Sequence, residues 1–257
     1  MALGCRPPAG RRRGTRRGLG SWSRARSRAR YHVSSCCSSF WAANQRQFSD
    51  AIARRDLERY RTRGPDATTR LLRDAILRAG NGKTVLDVGA GIGALSFELL
   101  AAGAERMTAV EPAPDYFASA HEEVRRRNLA DRFELICGDF VAVASDVAEA
   151  DVVTLDRVIC CYPAYRPLLE AALQRSRRLF AFSYPRDRWY VRAAVAIQNL
   201  LRALRRNPFR GFVHSAREME ALLEHHGFLR IERREALKWS ADLYVRADAA
   251  TDLRASA

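Results

Sequence analysis

Lysine is nearly absent from this chain: of 44 basic residues in 257, only Lys83 and Lys238 are lysines and the other 42 are arginines. Such a skew follows from a GC-rich coding sequence as readily as from selection for guanidinium chemistry, so the net charge of +15 is weak evidence for a nucleic-acid partner. Acid is missing from one end. Residues 1–46 hold eleven arginines and no Asp or Glu, whereas from Gln47 onward 33 basic residues face 29 acidic ones. The six cysteines (Cys5, Cys36, Cys37, Cys137, Cys160, Cys161) form no CxxC pair and have no His at ligand spacing, which argues against a zinc site and suits a reducing compartment. No segment reaches the roughly 18 uninterrupted apolar residues of a membrane span, and the N-terminus has no apolar core of a secretory signal. The expectation is a soluble, cytoplasmic protein, with an organelle transit peptide at the N-terminus left open.

What is present divides the chain. Residues 1–46 are rich in Arg, Gly, Ser and Pro and have little to bury, so they are expected to be disordered: a basic arm for RNA or anionic lipid, a transit peptide, or translated upstream sequence. Residues 47–83 are expected to form N-terminal helices, over about 45–62 and 67–79, interrupted by Gly64-Pro65. From 84 to 247 short apolar runs alternate with helical patterns, and 248–257 is a tail. The runs at 84–88, 107–111, 133–137, 152–155 and 178–183 predict five parallel strands with right-handed helical crossovers. A long helix over 189–206 breaks the rhythm. Its apolar residues Trp189, Ala193, Ile197, Leu200, Leu201 and Leu204 share one face, so the segment 188–214 is expected to fold as a lid over a substrate. Segments 229–237 and 242–245 close the chain as an antiparallel pair.

The strongest signal is Val85-Leu86-Asp87-Val88-Gly89-Ala90-Gly91-Ile92-Gly93 at a strand-to-helix turn. Glycine suits that turn because a Cβ would obstruct both the tight backbone and a cofactor lying against it. Glycine spacing alone leaves the cofactor open, since Gly89, Gly91 and Ala94 also satisfy the dinucleotide pattern G-x-G-x-x-A. Asp87 separates the cases. A carboxylate two residues before the first glycine opposes a pyrophosphate but accepts hydrogen bonds from an ammonium. Glu111, ending the next strand, suits the hydroxyls of a ribose, and Gly138-Asp139-Phe140 offers a carboxylate and an aromatic ring to adenine. Asp156 follows the fourth strand, so successive strands carry acids at the edge where open parallel sheets bind ligands.

The ordered series VLDVGAGIG, VEP, GDF and VVTLD resembles the motifs of class I S-adenosylmethionine-dependent methyltransferases over about residues 72–246. The resemblance implies a doubly wound α/β fold: a mostly parallel seven-stranded sheet with helices on both faces and a terminal antiparallel hairpin. It implies S-adenosyl-L-methionine as cofactor, with Asp87, Gly89, Ala90, Gly91 and Gly93 at the methionine moiety and Glu111 at the ribose. Asp139 and Phe140 then meet the adenine; Pro112 departs from the larger apolar residue the family often has there, and Asp156 completes the set. The region 188–214 more distantly resembles that of magnesium-protoporphyrin O-methyltransferase-like enzymes, in which it shapes the acceptor pocket.

Methyl transfer from a sulfonium is an in-line displacement in which alignment and desolvation suffice and a general base is optional. His214 and Tyr162 are the candidates for catalysis, and Tyr184 and His214 for acceptor contact. A loop histidine that only bonds its neighbours weighs equally for His214, and packing is the stronger reading for Tyr162 and for Cys160-Cys161. The expected activity is methylation of a small apolar or aromatic acceptor, with oxygen favoured. An RNA-directed methyltransferase or RNA-binding protein using the Arg-rich arm, and a nicotinamide-dependent oxidoreductase, are the alternatives.

Overall fold

The computed structural model describes residues 29–31 and 39–250. Its sheet has eight strands: β1 (Ala29–Tyr31), β2 (Thr84–Val88), β3 (Arg106–Glu111), β4 (Phe133–Cys137), β5 (Ala150–Leu155), β6 (Ser176–Pro185), β7 (Phe228–Glu235) and β8 (Trp239–Arg246). Their spatial order is β1-β4-β3-β2-β5-β6-β8-β7. β1 to β6 run parallel, and β8 lies antiparallel between β6 and β7. The order reverses beside β2, where β3 lies on one side and β5 on the other. Ligands bind outside the strand C-termini at such a reversal.

The helices are α1 (Ser39–Gln47), α2 (Asp50–Arg63), α3 (Ala67–Arg78), α4 (Ala94–Ala101), α5 (Pro114–Arg126), α6 (Phe140–Val143), α7 (Tyr165–Leu173), α8 (Trp189–Leu204) and α9 (Ala216–His225). Side-chain alternation along the strands feeds two apolar layers. Val85 packs with Leu72, Ile76 and Phe97 on one face, and its neighbour Leu86 packs with Leu155, Phe180 and Leu169 on the other. Because both faces are covered, β2 and β5 are mostly apolar, with polar residues near their starts (Thr84, Asp151) and at Asp87 and Thr154.

The stretch 1–46, expected to be disordered, is ordered in part. β1 pairs with the free edge of β4 at Leu135, Ile136 and Cys137, adding a strand to the seven expected, and α1 begins at Ser39. Residues 1–28 and 32–38, for which the basic-arm and transit-peptide readings were made, lie outside the described residues, as does 251–257 of the tail. No helix among the described residues is long and apolar enough to cross a membrane.

Helix α2 is fastened to α4 and α5 by pairs far apart in sequence. Glu123 of α5, fully buried, accepts hydrogen bonds from Arg61 of α2 and from Arg126 and Arg127, and these cations hold its carboxyl down at about 2 against the cost of burial. Tyr116 of α5 donates to Asp56 of α2 at 2.6 Å, and Tyr60 of α2 donates to Glu98 of α4 at 3.0 Å.

Candidate active site

The turn after β2 forms the floor of a cavity of about 420 Å³. Gly89, Gly91 and Gly93 all have positive φ, at 67°, 59° and 83°. A Cβ on Gly89 would sit 2.6 Å from Val158 Cγ2, so that position excludes a side chain on packing as well as conformation. The N–H groups of Gly89 and Ala90 both donate to Val110 O on β3, which ties the turn to the neighbouring strand.

Asp87 lines this floor and is buried. Ser96 Oγ donates to its Oδ2 at 2.6 Å and Thr154 Oγ1 to its Oδ1 at 2.8 Å. Among the described residues no cation pairs with it, and burial pushes its carboxyl up to about 6 despite the two hydroxyls. Glu111 is also buried. Its two oxygens accept the N–H groups of Gly91 and Ala113, each at 2.8 Å, yet burial raises its carboxyl to about 7. Both acids therefore lie in the cavity floor in a form that a cationic or hydroxyl-bearing ligand stabilises. Two further polar atoms of cavity residues, Asn44 Oδ1 and Arg157 Nε, are buried without a hydrogen-bond partner.

Pro112, Asp139 and Phe140 line the same cavity. Asp139 caps α6 through the Val141 N–H and accepts the Tyr162 hydroxyl at 3.0 Å, so Tyr162 is held by an acid of the floor; burial raises the Asp139 carboxyl. Asp156 also borders the cavity, but its oxygens are taken by the hydroxyls of Thr69 at 2.5 Å and Ser183 at 2.6 Å. It joins β5 to α3 and β6. Cys160 and Cys161, read as packing, line the cavity wall with their sulfurs 3.5 Å apart.

The roof comes from residues that sequence reasoning missed. Phe48, between α1 and α2, makes edge contacts with Tyr116 at 5.5 Å and with Phe209 at 5.7 Å, so an aromatic row runs from near the glycine turn to the loop after α8. Asp56 and Arg59 of α2, Asp66 before α3, and Arg157 also face the cavity, where Arg157 forms an ion pair with Asp66. Val195 and Arg202 of α8, with Phe212 and Trp239, complete the outer end.

Three expectations are corrected. Tyr184 does not line the cavity. It is buried in the core, stacked on Phe182 at 5.1 Å, with its hydroxyl donating to Asp242. His214 does not line it either: its Nε2 lies 3.0 Å from Tyr162 O and 3.2 Å from Ile159 O, and its ring packs between Tyr165 and Phe212. Burial lowers its pKa, so it is a neutral residue that joins two loops. Finally, α8 does border the cavity, but with the face opposite its apolar stripe. Trp189, Ile197, Leu200, Leu201 and Leu204 are exposed to solvent.

Comparison with known proteins agrees with this geometry. Residues 85–181 match a methyltransferase domain family. Magnesium protoporphyrin IX methyltransferase from Synechocystis PCC 6803, solved with bound S-adenosylhomocysteine, superposes with a TM-score of 0.58 at 18% identity, over 70% of this chain and 82% of that one. An O-methyltransferase family protein from Burkholderia thailandensis superposes at 0.64 with 16% identity, over 81% of this chain and 62% of that one. A probable ribosomal RNA small subunit methyltransferase A from Haloarcula marismortui is 49% identical over 59 residues, which span 23% of this chain and only a fifth (20%) of that protein.

Proposed function

We propose that this chain, an enzyme with a methyltransferase domain on the class I S-adenosylmethionine-dependent fold, methylates a small acceptor with an apolar or aromatic body, at oxygen. When bound, S-adenosylmethionine supplies a methyl group on a sulfonium. The observation that carries the reading is the cavity itself, which joins an acidic, glycine-lined floor to an aromatic outer end through Tyr116, Phe48 and Phe209. The neighbours that methylate a porphyrin or belong to an O-methyltransferase family support it by fold.

In this assignment Asp87 accepts the ammonium of the methionine moiety through the lone pairs that Ser96 and Thr154 leave free. Gly89, Ala90, Gly91 and Gly93 allow the ligand to lie against the backbone. Glu111, oriented by the Gly91 and Ala113 N–H groups, accepts the ribose hydroxyls. Pro112 and Phe140 flank the adenine, and Asp139 takes its amino group, with Tyr162 fixing the carboxylate. The outer aromatic residues orient the acceptor and exclude water, which raises the effective concentration of the reacting oxygen at the methyl group. His214 has no part in this assignment.

The test has two stages: calorimetry with S-adenosylhomocysteine, then transfer of labelled methyl from S-adenosylmethionine to a panel of phenols, carboxylic acids and amines. Saturable binding and labelling of an oxygen acceptor are expected; absence of cofactor binding overturns the reading.

The local similarity to a ribosomal RNA methyltransferase favours a second reading, in which the acceptor is RNA held by the Arg-rich N-terminus. Labelling of RNA that falls steeply with salt and vanishes without residues 1–46 would select it.

A further inference from the structure

The apolar stripe of α8 has no partner in the fold. Trp189 is 81% exposed, Leu204 72%, Leu200 60%, Ile197 59% and Leu201 48%, while Val191 alone on this helix is buried. At 3.6 residues per turn these five side chains fall within an arc of roughly 120°, with Arg192 at one border and Arg205 at the other. Leu237, 74% exposed, extends the patch past the start of the helix, where the Tyr190 hydroxyl donates to its carbonyl at 2.9 Å. A contiguous exposed apolar patch of this kind marks a contact surface.

The charge around the patch identifies the contact. From Arg188 to Arg217 the chain has seven arginines and no Asp or Glu; Arg192 pairs with Asp187 and Arg202 faces the cavity, while Arg188, Arg205 and Arg206 are exposed beside the patch. The 16-residue helix is about 24 Å long, too short to cross a bilayer core of about 30 Å but suited to lying in its surface. Long arginine side chains at the border of an apolar stripe reach the headgroup level while their stems remain with the acyl chains. A second copy of this chain fits poorly, because a two-fold contact would bring the arginine-bordered patch of one copy against the arginine-bordered patch of the other.

We propose that the outer face of α8, with Leu237, docks on an anionic lipid bilayer surface. The opposite side of α8 lines the cavity through Val195 and Arg202, so docking sets the aromatic end of the cavity close to the membrane. An acceptor dissolved in the bilayer then enters from that end, a step that rests on the reading of the cavity as the transfer site.

The experiment is flotation of the full chain with vesicles of equimolar phosphatidylglycerol and phosphatidylcholine, and with vesicles of phosphatidylcholine alone. The wild type is expected to float with the anionic vesicles and to lose binding on the neutral ones. The doubly substituted Leu200→Glu, Leu204→Glu chain, altered only at exposed positions, is expected to partition at least about tenfold more weakly. It retains residues 1–46, so unchanged partition would assign all binding to that arm and overturn the proposal. A wild type that does not float, or that forms a dimer dissolved by the same substitutions, overturns it too. Calorimetry of the variant with S-adenosylhomocysteine keeps the two readings apart, since cofactor binding is expected to be intact whether or not the vesicles are bound.

Discussion

Replacing Asp87 by Asn is expected to make the ligand-free protein more stable and the enzyme worse. Asp87 is buried, no cation among the described residues pairs with it, and its carboxyl is raised from an ordinary 3.8 to about 6. Between those values the native state holds more protons than the unfolded chain, so this contribution to stability falls as pH rises from about 4 to about 6 and is constant above. At pH near 7.5 the full penalty applies, at most about 3 kcal/mol at about 1.36 kcal/mol per tenfold. Asn carries no charge, and its amide keeps both contacts, because the Ser96 and Thr154 hydroxyls can each rotate from donor to acceptor. The variant should therefore melt roughly 5–10 °C above the wild type at pH near 7.5 and by about half that margin at pH near 5. Glu111, whose carboxyl the Asp87 charge helps to raise, is relieved in the variant as well, which acts in the same direction. S-adenosylhomocysteine, which keeps the methionine ammonium, should bind the variant roughly 10–100-fold more weakly through loss of a charge-assisted hydrogen bond. At about 100 times its Kd the ligand should raise wild-type stability by about 2.7 kcal/mol, and the variant much less at the same concentration. Differential scanning fluorimetry across pH and calorimetry measure both halves. A variant that melts below the wild type at neutral pH, or binds the ligand equally well, refutes the account of Asp87.

Four other substitutions test separate parts of the structure. Gly89→Ala places a Cβ 2.6 Å from Val158 Cγ2 at a φ of 67°; a stability loss of at least about 2 kcal/mol and loss of cofactor binding are expected. Gly227→Ala, at a φ of 78° with nothing within 4 Å, should cost about 1 kcal/mol and leave calorimetric binding unchanged. Arg233→Ala strips the bidentate cation from Asp242, whose side chain is fully buried; urea unfolding should show about 3–5 kcal/mol of destabilisation. His214→Gln should keep methyl transfer to the acceptor within about twofold while lowering stability by about 1 kcal/mol. A loss of a hundredfold or more in kcat would return the histidine to the reaction.

The parts of the molecule that were legible in the sequence are those whose signal is local. The apolar run into Gly89, the break at Gly64-Pro65 between α2 and α3, and the order of acidic strand ends each occupy a few adjacent residues. The roof was not legible, because its fastenings are pairs such as Arg61 with Glu123 and Asp56 with Tyr116, about sixty residues apart, and single charges carry no record of their partners. Tyr184 is a different case. Phe180, Phe182 and Tyr184 lie two residues apart on one strand and share a face in the second apolar layer. Extending the expected strand by one residue would have sent the tyrosine into the core on parity alone.

The stripe on α8 shows the limit of amphipathic patterning. A period of 3.6 identifies which residues share a side of a helix but not which side meets the protein. The larger apolar stripe invited the inward assignment, yet the fold uses the smaller opposite face, with Val191 buried and Val195 on the cavity wall. That choice is consistent with the charge. An inward stripe would draw Arg205 at its border toward the apolar core, where no Asp or Glu between 188 and 217 could pair with it. The outward arrangement leaves Arg205 hydrated and Arg192 paired with Asp187, and transfers the unmet apolar demand to the surface. The same residues that make α8 a poor lid thus make it a suitable membrane contact, and an acid-free flank beside an apolar stripe is the feature of the sequence that could have separated the two.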